Sequence, residues 1–254
     1  MPRLAGRRAR MARVGGPSAG QSRKTCHLYV VPCPRGPAGV RFGAMTALAA
    51  QALALIAALD WLAVHRRWVR LEQVAKPLFM VALGWLALTM GAAGHDIGRY
   101  LLVALGFSLV GDIFLLGGRD VDLSGGLVAF LVAHIAFVLA FLTLGFHLWW
   151  ALVGLVIAAP LGMTAGRRIV RGAARRGGVA LGAGVTAYIM VAGSMVVAAS
   201  GTARPLVLLG ALAFLFSDTL LALDRFVGPR ANARVLVIVT YHLAQVLMVV
   251  GALR

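Results

Sequence analysis

Long apolar runs separated by short polar segments dominate the chain after residue 41. Each run approaches the roughly 20 mostly apolar residues of a bilayer-spanning helix, which satisfies its own backbone hydrogen bonds. The pattern therefore predicts an all-α integral membrane protein, a bundle of eight transmembrane helices. The predicted spans are residues 42–64, 75–93, 98–117, 124–144, 146–163, 178–199, 204–223 and 234–253. The division around Gly145 to His147 is the least marked, and its loss would leave seven spans.

The composition supports a membrane environment. Hydrophobic residues make up 61% of the chain and charged residues only 13%. A soluble globular domain carries about a quarter charged residues. Eight spans with short connections account for almost everything after residue 41, so no sizeable domain outside the membrane is expected.

The net charge of +17 indicates topology rather than nucleic-acid binding, because the basic residues lie in the N-terminal segment and in short connections. No nucleic-acid partner is therefore expected. The connections after odd-numbered spans hold Arg66, Arg67, Arg70, Lys76, Arg119, Arg167, Arg168, Arg171, Arg175, Arg176, Arg225, Arg230 and Arg234. Those after even-numbered spans, with the C-terminus, hold Arg99, Arg204 and Arg254. By the positive-inside rule both termini lie outside, although the basic N-terminal segment alone favours the reverse.

Residues 1–41 differ from the rest of the chain. They are rich in Arg, Gly, Pro and Ser and are predicted to be a disordered basic tail, followed by a transmembrane domain over residues 42–254. Met45 stands directly before the first apolar run and is an alternative start. Cys26 and Cys33 both lie in this tail, where a disulfide, a metal half-site and two idle thiols are all compatible with the sequence.

A few ionisable residues lie inside the predicted spans, where each costs at least about 2.5–3.5 kcal/mol and usually has a function. Asp112 and Asp218 each lie about five residues, roughly 8 Å, before the end of an odd-numbered span. Lys76 opens the second span, and Tyr241 lies in the first half of the eighth. Odd spans end and even spans begin at the same membrane face, so these groups are predicted to share one leaflet. They outline a polar pocket, open toward the basic connections, that suits an amphiphile.

Structural explanations compete with functional ones at several positions. Asp60 is followed by aromatic and basic residues, which is typical of a solvated helix end. Lys76 is either a helix-start charge that reaches water or a partner for a phosphate or carboxylate. His134 is either a hydrogen-bonded core residue or a ligand. Asp112 and Asp218 are either members of buried ion pairs or functional carboxylates, and their matched depth favours a function.

Two carboxyl groups in a pocket of low dielectric constant do not ionise together, so one stays protonated while the other is ionised. That pairing suits acid–base hydrolysis through an oxocarbenium-like intermediate. Three alternatives remain open. A proton-coupled transporter also needs membrane carboxylates beside a pocket. A lipid-binding membrane protein would have no hydrolase activity, and a metal-dependent hydrolase would recruit His134 and His242.

The sequence resembles the YhhN-like, lysoplasmalogenase family of multi-spanning membrane proteins over about residues 45–254. The matching positions are Lys76-Pro77-Leu78, Ser108-Leu109-Val110-Gly111-Asp112 with Leu115, Gly126 through His134, Tyr188, Met190, Phe214-Leu215-Phe216-Ser217-Asp218 with Leu220, Arg225-Phe226, and Thr240-Tyr241 with Gln245. Two positions depart from the family pattern: Phe137 stands where Tyr is common, and Asp224 stands where Asn is frequent.

The resemblance implies a hydrolase that cleaves the vinyl ether bond of lysoplasmalogens, releasing a fatty aldehyde and a glycerophospho-headgroup. Asp112 and Asp218 match the paired aspartates of the family and are the expected catalytic residues. The expected substrate-binding or orienting residues are Lys76, Ser108, His134, Tyr188, Ser217, Tyr241 and Gln245. No cofactor and no metal are expected. The expected partners are a lysophospholipid substrate and membrane lipid, the expected location is the bacterial cytoplasmic membrane, and the oligomeric state is left open.

Overall fold

The computed structural model describes residues 37–117 and 120–254, and across these residues it is helical with no strand. The eight helices are α1 Pro37–Arg66, α2 Val69–Thr89, α3 Asp96–Gly117, α4 Asp120–Leu142, α5 Leu148–Leu161, α6 Arg167–Gly201, α7 Pro205–Phe226 and α8 Ala233–Leu253. The all-α prediction is confirmed. Helix α1 begins ahead of the predicted first span. The rest of the predicted tail, with Cys26 and Cys33, lies outside the described residues.

Eight spanning helices were predicted, whereas the described part of the chain has seven helical segments that are long and apolar enough to cross a membrane. The division around Gly145, where the backbone has φ +96°, is present. The predicted fifth and sixth spans instead lie on one 54-residue helical segment, Leu148–Gly201. The arginine-rich stretch between them was expected to be a loop, but it continues the helix through a π-helical turn at Gly162–Gly166.

This long segment folds back on itself. Gly178 has φ +70° and ψ −169°, which breaks the helical path inside α6. The two ends of the segment also meet. The backbone N–H of His147, directly before α5, donates to the carbonyl oxygen of Gly201 at the end of α6 at 2.8 Å. The Ser200 hydroxyl donates to the carbonyl oxygen of Trp150 at 2.6 Å. Helix α5 therefore packs antiparallel to the second half of α6.

Seven of the helices form a closed ring. Each of α1, α2, α3, α4, α6, α7 and α8 packs against the next in that order, and α8 returns to α1. Helix α5 packs against α6 and takes no part in this circuit. Helix α8 also contacts α2 and α3, so its inward face reaches across the bundle. Side chains from α2, α3 and α8 can therefore meet inside the ring.

Glycines bring some of these helices close together, as small residues do in membrane bundles. A Cβ on Gly111 of α3 would lie 2.6 Å from the ring of Phe130 on α4. A Cβ on Gly210 of α7 would lie 2.9 Å from the carbonyl oxygen of Ala244 on α8. The α3–α4 and α7–α8 pairs are therefore in direct contact, which sets the positions of the polar residues on their inner faces.

The outer surface is apolar, as expected for helices that face lipid. Trp149 is 81% exposed, and Val156 and Val179 are also largely exposed. Charged and polar side chains such as Asp112, His134 and Gln245 are instead buried. Seven apolar segments and this inverted surface define an integral membrane protein.

Candidate active site

The first polar cluster is centred on Asp112, whose side chain is 1% exposed. Lys76 from α2 places its Nζ 3.2 Å from Oδ1 of this carboxyl group. The hydroxyl of Tyr241 from α8 donates to the other oxygen, Oδ2, at 2.8 Å. An ammonium group and a hydroxyl donor together favour the ionised carboxylate. The predicted convergence of Lys76, Asp112 and Tyr241 is present in the structure.

A second polar contact lies one helical turn away from this cluster. Ser108 precedes Asp112 by four residues on α3, and Gln245 follows Tyr241 by four on α8, so each pair shares a helix face. The side-chain amide of Gln245 donates to the Ser108 hydroxyl at 3.1 Å. Oε1 of Gln245 is buried without a hydrogen-bond partner among the described residues. This oxygen offers an acceptor inside the ring.

The second carboxyl group, Asp218 on α7, meets side chains from α4 and α6. The Tyr188 hydroxyl donates to its Oδ2 at 2.6 Å. Nε2 of His134 lies 3.3 Å from the same oxygen, close enough for an ion pair but without the alignment of a hydrogen bond. Nδ1 of His134 faces the carbonyl oxygen of Phe130 at 2.7 Å. A carbonyl only accepts, so Nδ1 carries a hydrogen and Nε2 faces Asp218.

Aromatic rings separate the two carboxyl clusters. Phe214 lies 4.6 Å from the His134 ring and 5.4 Å from the Tyr241 ring, measured between centroids. Phe130 also packs edge-on against Tyr241 at 6.0 Å. Phe214 therefore contacts a ring from each cluster, His134 beside Asp218 and Tyr241 beside Asp112.

Ser217, the remaining predicted site residue, has a packing contact. Its hydroxyl donates to the carbonyl oxygen of Val237 on α8 at 2.9 Å. This bond ties α7 to α8 directly beside Asp218. The functional roles of Ser217 and of the other selected residues stay predictions.

A third buried carboxyl group, Asp60 on α1, corrects the interpretation of that residue as a solvated helix end. Its exposure is 0%, and neither oxygen has a hydrogen-bond partner among the described residues. Nε2 of His242 lies 3.5 Å from Oδ2 of Asp60. The other ring nitrogen, Nδ1, accepts from the Trp61 indole N–H at 3.1 Å, and Phe79 stacks on the ring at 3.5 Å. His134 and His242, which a metal-dependent hydrolase would combine, thus face different carboxyl groups.

Two cavities reach the site. One, of about 90 Å³, is narrow and almost entirely apolar, and Tyr188 and Asp218 supply polar groups in its wall. The other, of about 270 Å³, is lined by charged residues that include Glu72, Lys76 and Arg234. The two cavities share four wall residues, which are Leu115, Leu123, Leu221 and Arg225. A polar chamber and an apolar chamber therefore adjoin at the level of the carboxyl groups.

Two side-chain contacts near this site were not predicted from the sequence. Glu72 and Arg234 form an ion pair at 2.7 Å across the charged cavity. Their opposite charges at the starts of two even-numbered helices were the available signal. The Asp60–His242 contact was not predicted, because the residues around Asp60 resemble a solvated helix end. Which residues of α8 face Asp60 depends on how α8 packs against α1, which the sequence pattern does not give.

Fold and site together define a polytopic helical membrane protein with buried carboxyl groups beside adjoining polar and apolar cavities. The model of the YhhN family matches residues 71–252, and the chain belongs to that family. The family assignment made from the motifs is confirmed. No curated protein and no solved structure matches the chain.

Proposed function

We propose that the protein is a membrane hydrolase that cleaves the vinyl ether bond of lysoplasmalogen-type lysophospholipids. The observation that carries the proposal is the position of Asp218, which lies in the wall of the apolar cavity, one helical turn before Leu221 in the wall that this cavity shares with the charged one. A single-chain phospholipid has the same division. Its apolar chain and charged headgroup meet at the glycerol, next to the vinyl ether bond.

The charged cavity suits the headgroup. It is lined by three cationic residues whose charge is complementary to a phosphate, Lys76, Arg225 and Arg234. It is also lined by Glu72 and Asp224, whose negative charge is complementary to the ammonium group of ethanolamine or choline. The apolar cavity takes the start of the alkenyl chain. With both ends placed in this way, the vinyl ether lies on the apolar side of the shared wall, where Asp218 and Tyr188 line the cavity.

In the first step, a proton moves from the Asp218–His134 pair to the alkenyl carbon remote from the ether oxygen. The π electrons of the double bond form the new C–H bond, and the carbon attached to oxygen becomes an oxocarbenium ion. Asp218 is then a carboxylate beside a cation, which it stabilises. Tyr188 holds the carboxyl group in place throughout by its 2.6 Å hydrogen bond.

In the second step, water adds to the cationic carbon and gives up one proton to the Asp218 carboxylate, which forms a hemiacetal. The bond between that carbon and the glycerol oxygen then breaks. The glycerol oxygen takes a proton from the Asp218 carboxyl group, and the hemiacetal hydroxyl passes its own proton to the resulting carboxylate, which restores the starting state. One water is consumed, and the products are a fatty aldehyde and a glycerophospho-headgroup.

Asp112 has a supporting part in this scheme. In this scheme it acts as the carboxylate partner of Lys76, accepts a hydrogen bond from Tyr241, and adds negative charge near the developing cation. The free acceptor oxygen of Gln245 helps to orient water. In this scheme Asp218 donates the proton, and Asp112 remains a carboxylate throughout.

The test is a lipid panel on purified protein in detergent or nanodiscs. Free aldehyde is measured from a lysoplasmalogen, an intact plasmalogen and a saturated ether lysophospholipid. Aldehyde from the vinyl ether lysolipid, lost in both Asp112→Asn and Asp218→Asn proteins, supports the proposal. Wild-type aldehyde release from both variants would rule out this assignment of the carboxyl groups, and no release from any lipid would rule out the hydrolase.

A proton-coupled transporter is the second candidate, and the His134–Asp218 contact favours it specifically. A histidine facing a membrane carboxyl group is a common proton-relay arrangement in transporters. Flux of a lysolipid across liposomes, driven by a pH gradient and without aldehyde release, would select this alternative.

We also propose that the two arms of the Leu148–Gly201 segment each cross the cytoplasmic membrane of a bacterium, which gives eight passes with the basic connections on the cytosolic side. In a protein with Cys26→Ser and Cys33→Ser, we expect Phe146→Cys and Ala203→Cys to react with an impermeant thiol reagent from outside. Arg176→Cys is expected to react only after the membrane is opened. Labelling of Arg176→Cys from outside in the intact membrane would show instead that the two arms do not cross it.

A further inference from the structure

A second apolar groove lies on the flank of the bundle, between α5 and α6. Its volume is about 710 Å³, within the roughly 300–1,000 Å³ typical of ligand pockets. The wall is mostly aliphatic and includes Leu155, Met190 and Val197. Its two hydroxyl groups are occupied locally, since Thr186 and Ser194 donate to backbone carbonyls of their own helix. Apart from two arginines at one end, the groove therefore offers an apolar surface.

The groove and the apolar cavity beside Asp218 share one wall. Gly162, Gly166 and Ile189 line both spaces. A Cβ on Gly166 would lie 3.5 Å from Cδ1 of Ile189, and a Cβ on Gly162 would lie 3.8 Å from Cγ2. The Ile189 side chain thus lies over two glycines and separates the groove from the cavity. Ile189 also directly follows Tyr188, the hydrogen-bond partner of Asp218.

The backbone on the other side of this partition is irregular. Gly162–Gly166 forms the π-helical turn between α5 and α6 and begins two residues after Pro160. Such turns recur at functional sites, because they widen a helix locally and reposition its side chains. Here the turn and its glycines leave a thin wall between the two spaces.

One end of the groove is cationic. Arg167 and Arg171, one turn apart on α6, line it together with the aliphatic residues. Guanidinium groups suit the phosphate of a lipid headgroup. The groove therefore matches a hydrocarbon chain along its length and a phosphate at its end.

We propose that this groove binds a single-chain phospholipid from the membrane, and that its chain passes Ile189 to reach the cavity at Asp218. The fate of the lipid at Asp218 rests on the proposed hydrolase function, whereas binding in the groove does not. Ile189 is a gate in this scheme, and the glycines opposite it provide the space into which the chain moves.

The test uses a saturated ether lysophospholipid that carries a photoreactive diazirine at the chain end, so that binding is read without turnover. We expect cross-links on groove residues such as Met190 and Val197, and on inner-cavity residues such as Leu127 and Val185. Ile189→Trp is expected to lose the inner cross-links and keep those in the groove. Ile189→Ala is expected to strengthen the inner ones.

Two controls make the result specific. Ile189→Val keeps the shape of the partition and is expected to retain the wild-type pattern. Val156→Trp adds the same bulk at an exposed position of α5 outside the groove, and is also expected to retain it. Absence of groove cross-links in the wild type, or inner cross-links unchanged in both Ile189→Trp and Ile189→Ala, would overturn the proposal.

A kinetic arm separates this proposal from the proposed function. Ile189→Trp is expected to slow aldehyde release from a long-chain lysoplasmalogen more than from a short, water-soluble vinyl ether. If no vinyl ether is cleaved but the cross-link pattern is as expected, the groove assignment stands and the hydrolase proposal fails. If cleavage occurs and Ile189→Trp slows both substrates equally, the gate fails and the hydrolase stands.

Discussion

Nε2 of His134 lies 3.3 Å from Oδ2 of Asp218, while Nδ1 of the same ring faces the Phe130 carbonyl at 2.7 Å. Because the carbonyl fixes the hydrogen on Nδ1, the Nε2–Oδ2 contact is attractive only when a proton lies between the two atoms. In the proposed mechanism this pair supplies the proton. Asp218 lies in the wall of the apolar cavity, where a hydrophobic chain would be bound.

The first prediction concerns removal of this proton store. Asp218→Asn and His134→Gln are each expected to lower the rate of aldehyde release by about 10²–10⁴-fold, the usual contribution of a general acid. Tyr188→Phe, which removes a hydrogen bond to the carboxyl group, is expected to lower it roughly tenfold. The rate is measured per mole of folded, purified protein.

Tyr100→Phe is the matched control, since Tyr100 lies on α3 with its side chain exposed. It is expected to keep the wild-type rate. A Tyr188→Phe protein as active as Tyr100→Phe would contradict the role given to the Tyr188 hydroxyl.

The second prediction concerns the buried Lys76–Asp112 ion pair. Removing one member of such a pair leaves an uncompensated charge and costs about 3–5 kcal/mol. Lys76→Met is therefore expected to lower the melting temperature strongly, and the double variant Lys76→Met with Asp112→Asn is expected to recover part of the loss. Thermal unfolding in detergent measures both. A double variant that melts below Lys76→Met would show that the pair is not the source of the effect.

Much of this site could be anticipated from sequence because depth in a membrane helix follows from counting residues. Asp112, Lys76 and Tyr241 were expected at one level, and the structure brings them together. The convergence of Asp218, His134 and Tyr188 needed more, because which helices are neighbours depends on the ring order rather than on periodicity. The arginine-rich stretch before residue 178 was predicted to be a loop because its hydropathy is low. It is helical up to the kink at Gly178, so the predicted break between the two spans was too long.

The third prediction contrasts Asp60 with Asp112, which are both buried although the sequence around Asp60 indicated a solvated helix end. Neither oxygen of Asp60 makes a hydrogen bond in the described structure, whereas Asp112 has a cation and a hydroxyl donor. Losing an unsatisfied buried charge is inexpensive, and losing a satisfied one is not. Asp60→Asn is therefore expected to melt at or above the wild-type temperature, and Asp112→Asn below it. The opposite order in a thermal unfolding experiment would show that Asp60 has a stabilising partner.

The fourth prediction tests whether Phe130 must stay in place for catalysis. A Cβ on Gly111 would lie 2.6 Å from the Phe130 ring, so Gly111→Ala must displace that ring, which lies between the two carboxyl clusters. We expect lower activity and a lower melting temperature, since overpacking costs about 1–3 kcal/mol. Gly106→Ala on the same helix meets nothing within 4 Å and is the control. Equal activity in the two variants would mean that Phe130 can move without consequence.

The last prediction concerns the backbone at Gly178, where the Leu148–Gly201 segment folds back. Its φ of +70° with ψ of −169° belongs to a region that only glycine adopts readily, and no atom lies within 4 Å of an added Cβ. Any cost of Gly178→Ala is therefore backbone strain, about 1–3 kcal/mol. Gly193→Ala also meets no atom within 4 Å but lies where α6 is helical, so it is expected to be neutral or slightly stabilising. If Gly178→Ala melts at the same temperature as Gly193→Ala, the fold-back does not require glycine and the antiparallel packing of α5 on α6 must be fixed by its side-chain contacts alone.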